Sequence, residues 1–196
     1  DEPSAATAVL VEDNFNFLTK MCTLRMREAA LEMIRAAAAR GCSVFVNGSD
    51  AADHRDVYLA AGAAAVALGE PDGTMPELVA AAHAGTRDLS GISGIAIRSE
   101  TGVVRTTPAR TPFDDLDALP APAWDLIDFQ AYQTAWHAAH GRFSVNLVAS
   151  RGCPYGCHWC AKPVFGRAYA QRSPERLAED LALLKRLANP DHIWFA

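Results

Sequence analysis

The chain has 196 residues, 50% of them hydrophobic and 21% charged, an ordinary globular composition that excludes intrinsic disorder and suits one large domain or two small ones. A net charge of -5 with no run of basic residues excludes a nucleic-acid footprint. No apolar run reaches the ~18 residues of a membrane-spanning helix. Asp1-Glu2-Pro3-Ser4 lacks the parts of a secretory signal, so a cytoplasmic protein with no membrane partner is expected.

Thr7-Ala8-Val9-Leu10-Val11 predicts a buried strand that opens onto the polar turn Glu12-Asp13-Asn14. From about Leu24 to Arg40, Met26, Ala29, Ala30, Met33, Ile34 and Ala37 recur at helical spacing, and Gly41 is the stop. A second strand, Ser43 to Val46, leads through Asn47-Gly48-Ser49-Asp50 into a helix from about Ala52 to Ala61, closed by Gly62. The pattern repeats with the strand Ala64 to Leu68, the loop Gly69-Glu70-Pro71-Asp72-Gly73 and a helix from Met75 to Ala84. Strands alternating with helices predict a parallel α/β sheet, whose ligands bind beyond the carboxyl ends of the strands. The candidate ligand contacts are therefore Asp13, Asn14, Asn47, Gly48, Ser49, Gly69 and Glu70.

After Ala84 the pattern changes. Ile95 to Arg98 and Val103 to Thr106 flank Ser99-Glu100-Thr101-Gly102 and predict a hairpin. Asp114 to Asp125, broken by Pro120 and Pro122, predicts a linker with solvated carboxylates. Phe143 to Ala149 predicts a strand, Ser173-Pro174-Glu175 a capped helix start, and Leu177, Leu181, Leu184 and Leu187 its apolar face. Asn189-Pro190 ends that helix before a last strand, His192 to Phe195.

Between them lies Arg151-Gly152-Cys153-Pro154-Tyr155-Gly156-Cys157-His158-Trp159-Cys160. Its three thiols lie too close in sequence for unstrained disulfides and are one soft ligand short of a closed tetrahedral zinc site. A cubane of four irons and four sulfides suits them, because three cysteines hold three irons and leave one iron open. A zinc knuckle using His158 is the rival, disfavoured because His158 adjoins Cys157. A second rival is an iron-sulfur electron carrier, which would need a fourth cysteine. The remaining cysteines, Cys22 and Cys42, are expected as buried thiols.

The cysteine stretch, with Trp159 just before its third thiol, resembles the cluster loop of the radical S-adenosylmethionine (SAM) enzymes. The upstream α/β segment resembles the later half of the cobalamin-binding domain in one large class of them, with Asn47-Gly48 where that class commonly has Gly-Gly and Gly69-Glu70-Pro71-Asp72 where it has Gly-Glu-Gly-Glu. The resemblance implies a [4Fe-4S] cluster on Cys153, Cys157 and Cys160, SAM against the backbone near Trp159, and cobalamin on the α/β loops. It implies a partial Rossmann-like parallel sheet in residues 1–86, a hairpin and Pro-rich linker in 87–142, and the first β-α-β of a (β/α) barrel in 143–196, the whole being an internal piece of a longer enzyme.

It also implies reductive cleavage of SAM to a 5′-deoxyadenosyl radical, with methyl transfer to an unactivated carbon as the leading reaction and ring formation as the alternative. The partners implied are a small-molecule substrate and a low-potential electron donor such as flavodoxin or ferredoxin.

Overall fold

A computed structural model describes residues 7–12, 22–155, 157–158 and 168–195. The chain divides into two compact units, one running to Pro112 and the other beginning at Phe113. Among the described residues no helix is long and apolar enough to cross a membrane.

The first unit carries a five-stranded sheet in the order β1-β2-β3-β4-β5. Strands β1 (Thr7–Val11), β2 (Ser43–Asn47) and β3 (Ala65–Ala67) are parallel, and β4 (Ile95–Arg98) and β5 (Val104–Thr106) are antiparallel. Helices α1 (Thr23–Ala39), α2 (Ser49–Asp53), α3 (Arg55–Ala60) and α4 (Thr74–His83) connect the parallel strands to one another and to β4.

Both faces of the central strands are covered, so the middle of β2, Val44-Phe45-Val46, is continuously apolar rather than alternating. Val44 and Val46 face a cluster with Ala30, Ile34, Ala51, Tyr58 and Leu59, whereas Phe45 faces one with Met75, Leu78 and Ile95. The period of two in a strand produces this division.

Several expectations change in detail. The hairpin forms around Gly102, at φ 81°, but it also bonds to β3, with Val66 opposite Ala96, so the sheet has two strands more than the βα pattern gives. β1 is the edge strand and is less buried than its apolar run implies, with Val9 45% and Val11 57% exposed. In α1 the buried stripe narrows to Ala30 and Ile34, while Met26 and Met33 stay exposed. The expected helix over 52–61 starts earlier and is divided at His54, whose φ of -113° and ψ of 31° leave the helical range. Cys22 is exposed just before α1 and Cys42 half-buried, so neither is the core thiol expected.

In the second unit β6 (Ser144–Leu147) and β9 (His192–Phe195) are parallel and are joined through α6 (Pro174–Ala188). A separate antiparallel ribbon pairs β7 (Ser150–Gly152) with β8 (Tyr169–Gln171). Helix α5 (Phe129–His140) precedes β6; Asp128 Oδ1 accepts the Ala131 amide at 3.2 Å, and Gly141 at φ 70° stops the helix.

Ser173 caps α6 by accepting the Arg176 amide at 3.1 Å, with Pro174 at its first turn. Leu184 and Ala188 are buried against Trp124, Phe143 and Leu147, and Leu177 and Leu181 pack at the margin. Leu187, expected on that face, is 40% exposed.

The Pro-rich segment is docked through its apolar residues, while its carboxylates Asp114, Asp115 and Asp125 stay exposed as expected. Leu116 and Leu119 pack with Ala170, and Trp124 enters the α6 core. Asp117 accepts the Ser173 amide at 3.0 Å, and hydrogen bonding from the Ser173 side chain and then from its amide holds the carboxyl below the usual range.

Candidate functional site

The carboxyl ends of β1, β2 and β3 lie side by side because the three strands are parallel and in register. Asn47 ends β2 and is 2% exposed. Its Nδ2 donates to the Ala67 carbonyl at 3.1 Å and the Gly69 carbonyl at 3.0 Å, which ties the loop after β2 to the loop after β3. Its own carbonyl accepts the Glu12 amide at 2.9 Å, tying in β1 as well. Gly69 turns at φ 75°, a conformation costly for any side chain, and Glu70 beside it is buried. Ser49 opens α2 and is half-buried. Asp13 and Asn14 lie outside the described residues.

Gly48 is a position without room. A Cβ there would lie 1.9 Å from Glu12 Oε2, 2.3 Å from Glu12 Cδ and 2.5 Å from Glu12 Cβ. Because the last of these atoms is at the root of the side chain, no rotation of Glu12 alone relieves the clash. Gly48 thus admits Glu12 to the space beneath the loop.

Sequence patterning missed this arrangement. The Glu12 carboxylate accepts the Asp50 amide at 3.0 Å through Oε2, and Oε1 is 2.8 Å from the Tyr58 hydroxyl. The same hydroxyl is 2.7 Å from Asp50 Oδ2. Arg27 forks onto Asp50, with Nε at 2.7 Å from Oδ2 and Nη2 on Oδ1. His54 Nε2 stands 3.8 Å from the same Oδ1. Five separated positions, Glu12, Arg27, Asp50, His54 and Tyr58, therefore converge under the loop. The polar identity of Arg27 on α1 and Tyr58 on α3 was the available signal.

The charges respond to this packing. Burial raises the Glu12 carboxyl above its usual range, outweighing the hydrogen bonds from Tyr58 and the Asp50 amide. Burial acts in the same direction on Asp50, but Arg27, Tyr58 and His54 together hold that carboxyl below its usual range. The Tyr58 hydroxyl is pushed up by burial and by both carboxylates, and so stays protonated.

In the second unit the cysteine stretch begins where β7 ends. Gly152 pairs with Tyr169, so antiparallel bonds pin the two ends of the 153–168 segment together. Arg172, just past β8, donates its amide to the Ala149 carbonyl at 2.9 Å and reinforces the closure. Cys153 is half-buried and Cys157 exposed. Cys160 and Trp159 lie outside the described residues. The two described thiols stand on an anchored loop and are accessible, which fits soft-metal ligands, and Gly152, with no space for a side chain, fits a loop folded close upon itself. The strand ends at Glu12, Asn47 and Ala67, bonded to one another at the sheet edge, with Gly69 in a left-handed turn, likewise fit a bulky flat ligand.

No family profile matches the chain. An uncharacterised methyltransferase of Pyrococcus horikoshii is 37% identical over 121 residues, 61% of this chain and 25% of that protein. An anaerobic magnesium-protoporphyrin IX monomethyl ester cyclase of Synechocystis is 31% identical over 121 residues, 62% of this chain and 23% of its own length. The chain thus spans about a quarter of the curated relatives it matches.

Among solved structures, the cobalamin-dependent SAM radical enzyme OxsB, with aquacobalamin and SAM bound, superposes with a TM-score of 0.68 at 19% identity, covering 98% of this chain and 25% of that one. The radical SAM methyltransferase TsrM of Kitasatospora setae, with cobalamin and a [4Fe-4S] cluster bound, gives 0.66 at 18% identity, over 100% of this chain and 38% of its own. The chain thus shares the fold of these two enzymes over nearly its whole length and a sequence kinship with the methyltransferase over three fifths of it.

Proposed function

We propose that the chain carries the cobalamin-binding edge and the cluster loop of a cytoplasmic radical SAM enzyme that methylates an unactivated carbon. The observation that carries this reading is the placement of a Cys-x3-Cys-x2-Cys stretch on a ribbon-closed loop between β6 and α6, in a fold shared with OxsB and TsrM. Cys153, Cys157 and Cys160 hold the [4Fe-4S] cluster, and the backbone near Trp159 meets the nucleoside of SAM. Asp13, Asn14, Asn47, Gly48, Ser49, Gly69 and Glu70 form the cobalamin edge, where Asn47 fixes the spacing of the loops. When bound, these groups supply a 5′-deoxyadenosyl radical and a transferable methyl group.

The chain's own part is to bind and to orient. Thiolates on a loop anchored at both ends would hold three irons of the cluster and, with no fourth cysteine in the stretch, leave the fourth iron to an exogenous group. Electrons come from a low-potential donor such as flavodoxin or ferredoxin, and the substrate is a small molecule. Ring formation is the second reading, favoured by the kinship to the Synechocystis cyclase.

Treating the whole protein with SAM and a strong reductant tests the proposal. The expected products are 5′-deoxyadenosine and methionine, both lost in Cys157→Ala. Intact SAM in the presence of an assembled cluster would sink it. Methyl-labelled SAM separates the two reactions, because only methyl transfer moves the label into the modified substrate, whereas cleavage alone leaves it in methionine.

A further inference from the structure

Around the Tyr58 hydroxyl there is one proton too few. The hydroxyl carries a single hydrogen, yet it lies 2.8 Å from one Glu12 oxygen and 2.7 Å from one Asp50 oxygen. With both carboxylates ionised, one of these contacts would set an anionic oxygen against a lone pair in a site where Tyr58 is fully buried. Arg27 neutralises Asp50 through two bonds, so the group left to carry the missing proton is Glu12. A neutral Glu12 satisfies every member: its hydroxyl donates to Tyr58, Tyr58 donates to Asp50, and the second Glu12 oxygen accepts the Asp50 amide. The elevated carboxyl of Glu12 agrees with this assignment.

We propose that Glu12 is a positioning residue for the 47–50 loop, working in its protonated form, and that ionising it loosens the loop on which the ligand rests. This rests on the cobalamin reading only for the identity of that ligand. Among the described residues, the titratable and charged groups facing Glu12 are Tyr58 of α3 and Asp50 of α2, with Arg27 of α1 and His54 reaching it through Asp50. Gly48 belongs to the same device, since any side chain there would expel Glu12.

The test uses the full chain and three readouts. Infrared difference spectra near neutral pH should contain a protonated-carboxyl band that disappears in Glu12→Gln. Hydrogen exchange at the Asp50 amide, corrected for base catalysis, should lose about tenfold protection per unit of pH above the Glu12 titration in the wild type. In Glu12→Gln it should stay protected throughout, because the amide side chain reproduces both bonds of the neutral acid. Absence of the band, or equal exchange behaviour of wild type and Glu12→Gln across the pH range, would overturn the proposal. Titration with methylcobalamin reads the ligand separately. Affinity that weakens with rising pH in the wild type but not in Glu12→Gln is expected, whereas no binding at any pH, with the band and the exchange pattern intact, contradicts the cobalamin assignment alone.

Discussion

A Cβ placed on Gly152 would lie 1.7 Å from the carbonyl oxygen of Ala168 and 2.8 Å from its carbonyl carbon. Both are backbone atoms, so nothing flexible can yield, and Gly152 is itself at φ 76°. The residue before the first cysteine therefore sets how tightly the two ends of the cysteine segment approach. Gly152→Ala is predicted to cost about 3 kcal/mol from strain and overpacking together. Chemical denaturation measures the loss, and iron uptake after reconstitution should fall with it. An alanine variant of unchanged stability would mean that the ribbon opens without consequence.

Gly48→Ala should act in the first unit by displacing Glu12 rather than by straining the loop alone, with a cost of about 2 kcal/mol. If so, Gly48→Ala combined with Glu12→Gly, which removes the clashing Cβ as well, costs less than the sum of the single changes. A double-mutant cycle on unfolding free energies decides this, and strict additivity would show that the two residues do not meet.

Asp50 gives a pH dependence of definite sign. Its carboxyl is depressed below the ordinary aspartate value of 3.8, so the folded state holds its charge in preference to the unfolded state. The stability it contributes is present above that value and is lost as pH falls through the folded-state titration. Asp50→Asn should therefore be less stable than the wild type by about 3 kcal/mol at neutral pH, where Arg27 loses its partner, and the gap should narrow below the ordinary aspartate range. Urea unfolding across pH checks it. A gap that widens in acid would reverse the assignment.

Leu184 and Leu187 lie on one helix, and the sequence gives them the same role. Leu184 is fully buried and Leu187 is 40% exposed. Leu184→Ala is predicted to cost about 3 kcal/mol, and Leu187→Ala at most about 0.5 kcal/mol. Equal costs by thermal unfolding would contradict the packing of α6.

The parallel strands, the glycine stops and the cysteine loop were legible because each depends on local pattern. Gly41 at φ 82° and Gly62 at φ 117° end helices where the periodicity stops, and Ser173-Pro174-Glu175 opens one as capping chemistry requires. What escaped depends on distant partners. The β7 and β8 ribbon consists of three-residue strands carrying Ser150, Arg151 and Gln171, with too few alternations to register as strands. Helix α5 does have its signals, Asp128 before it and Gly141 after it, but Phe129, Tyr132 and Trp136 bury too little to give a clean apolar face. The Asp50, Tyr58 and Glu12 contacts span up to 46 positions, and nothing in the local sequence around Tyr58 marks its hydroxyl as the bridge between two acids.

Metal content of the anaerobically reconstituted protein, read for iron, cobalt and zinc in one mass-spectrometric measurement, tests the central claim most directly. With cobalamin supplied, about four irons and about one cobalt per chain are predicted, with the iron lost in Cys153→Ala, Cys157→Ala and Cys160→Ala but kept in Cys22→Ala and Cys42→Ala. About one zinc per chain with neither iron nor cobalt would contradict the account and leave the cysteine loop as a structural zinc module.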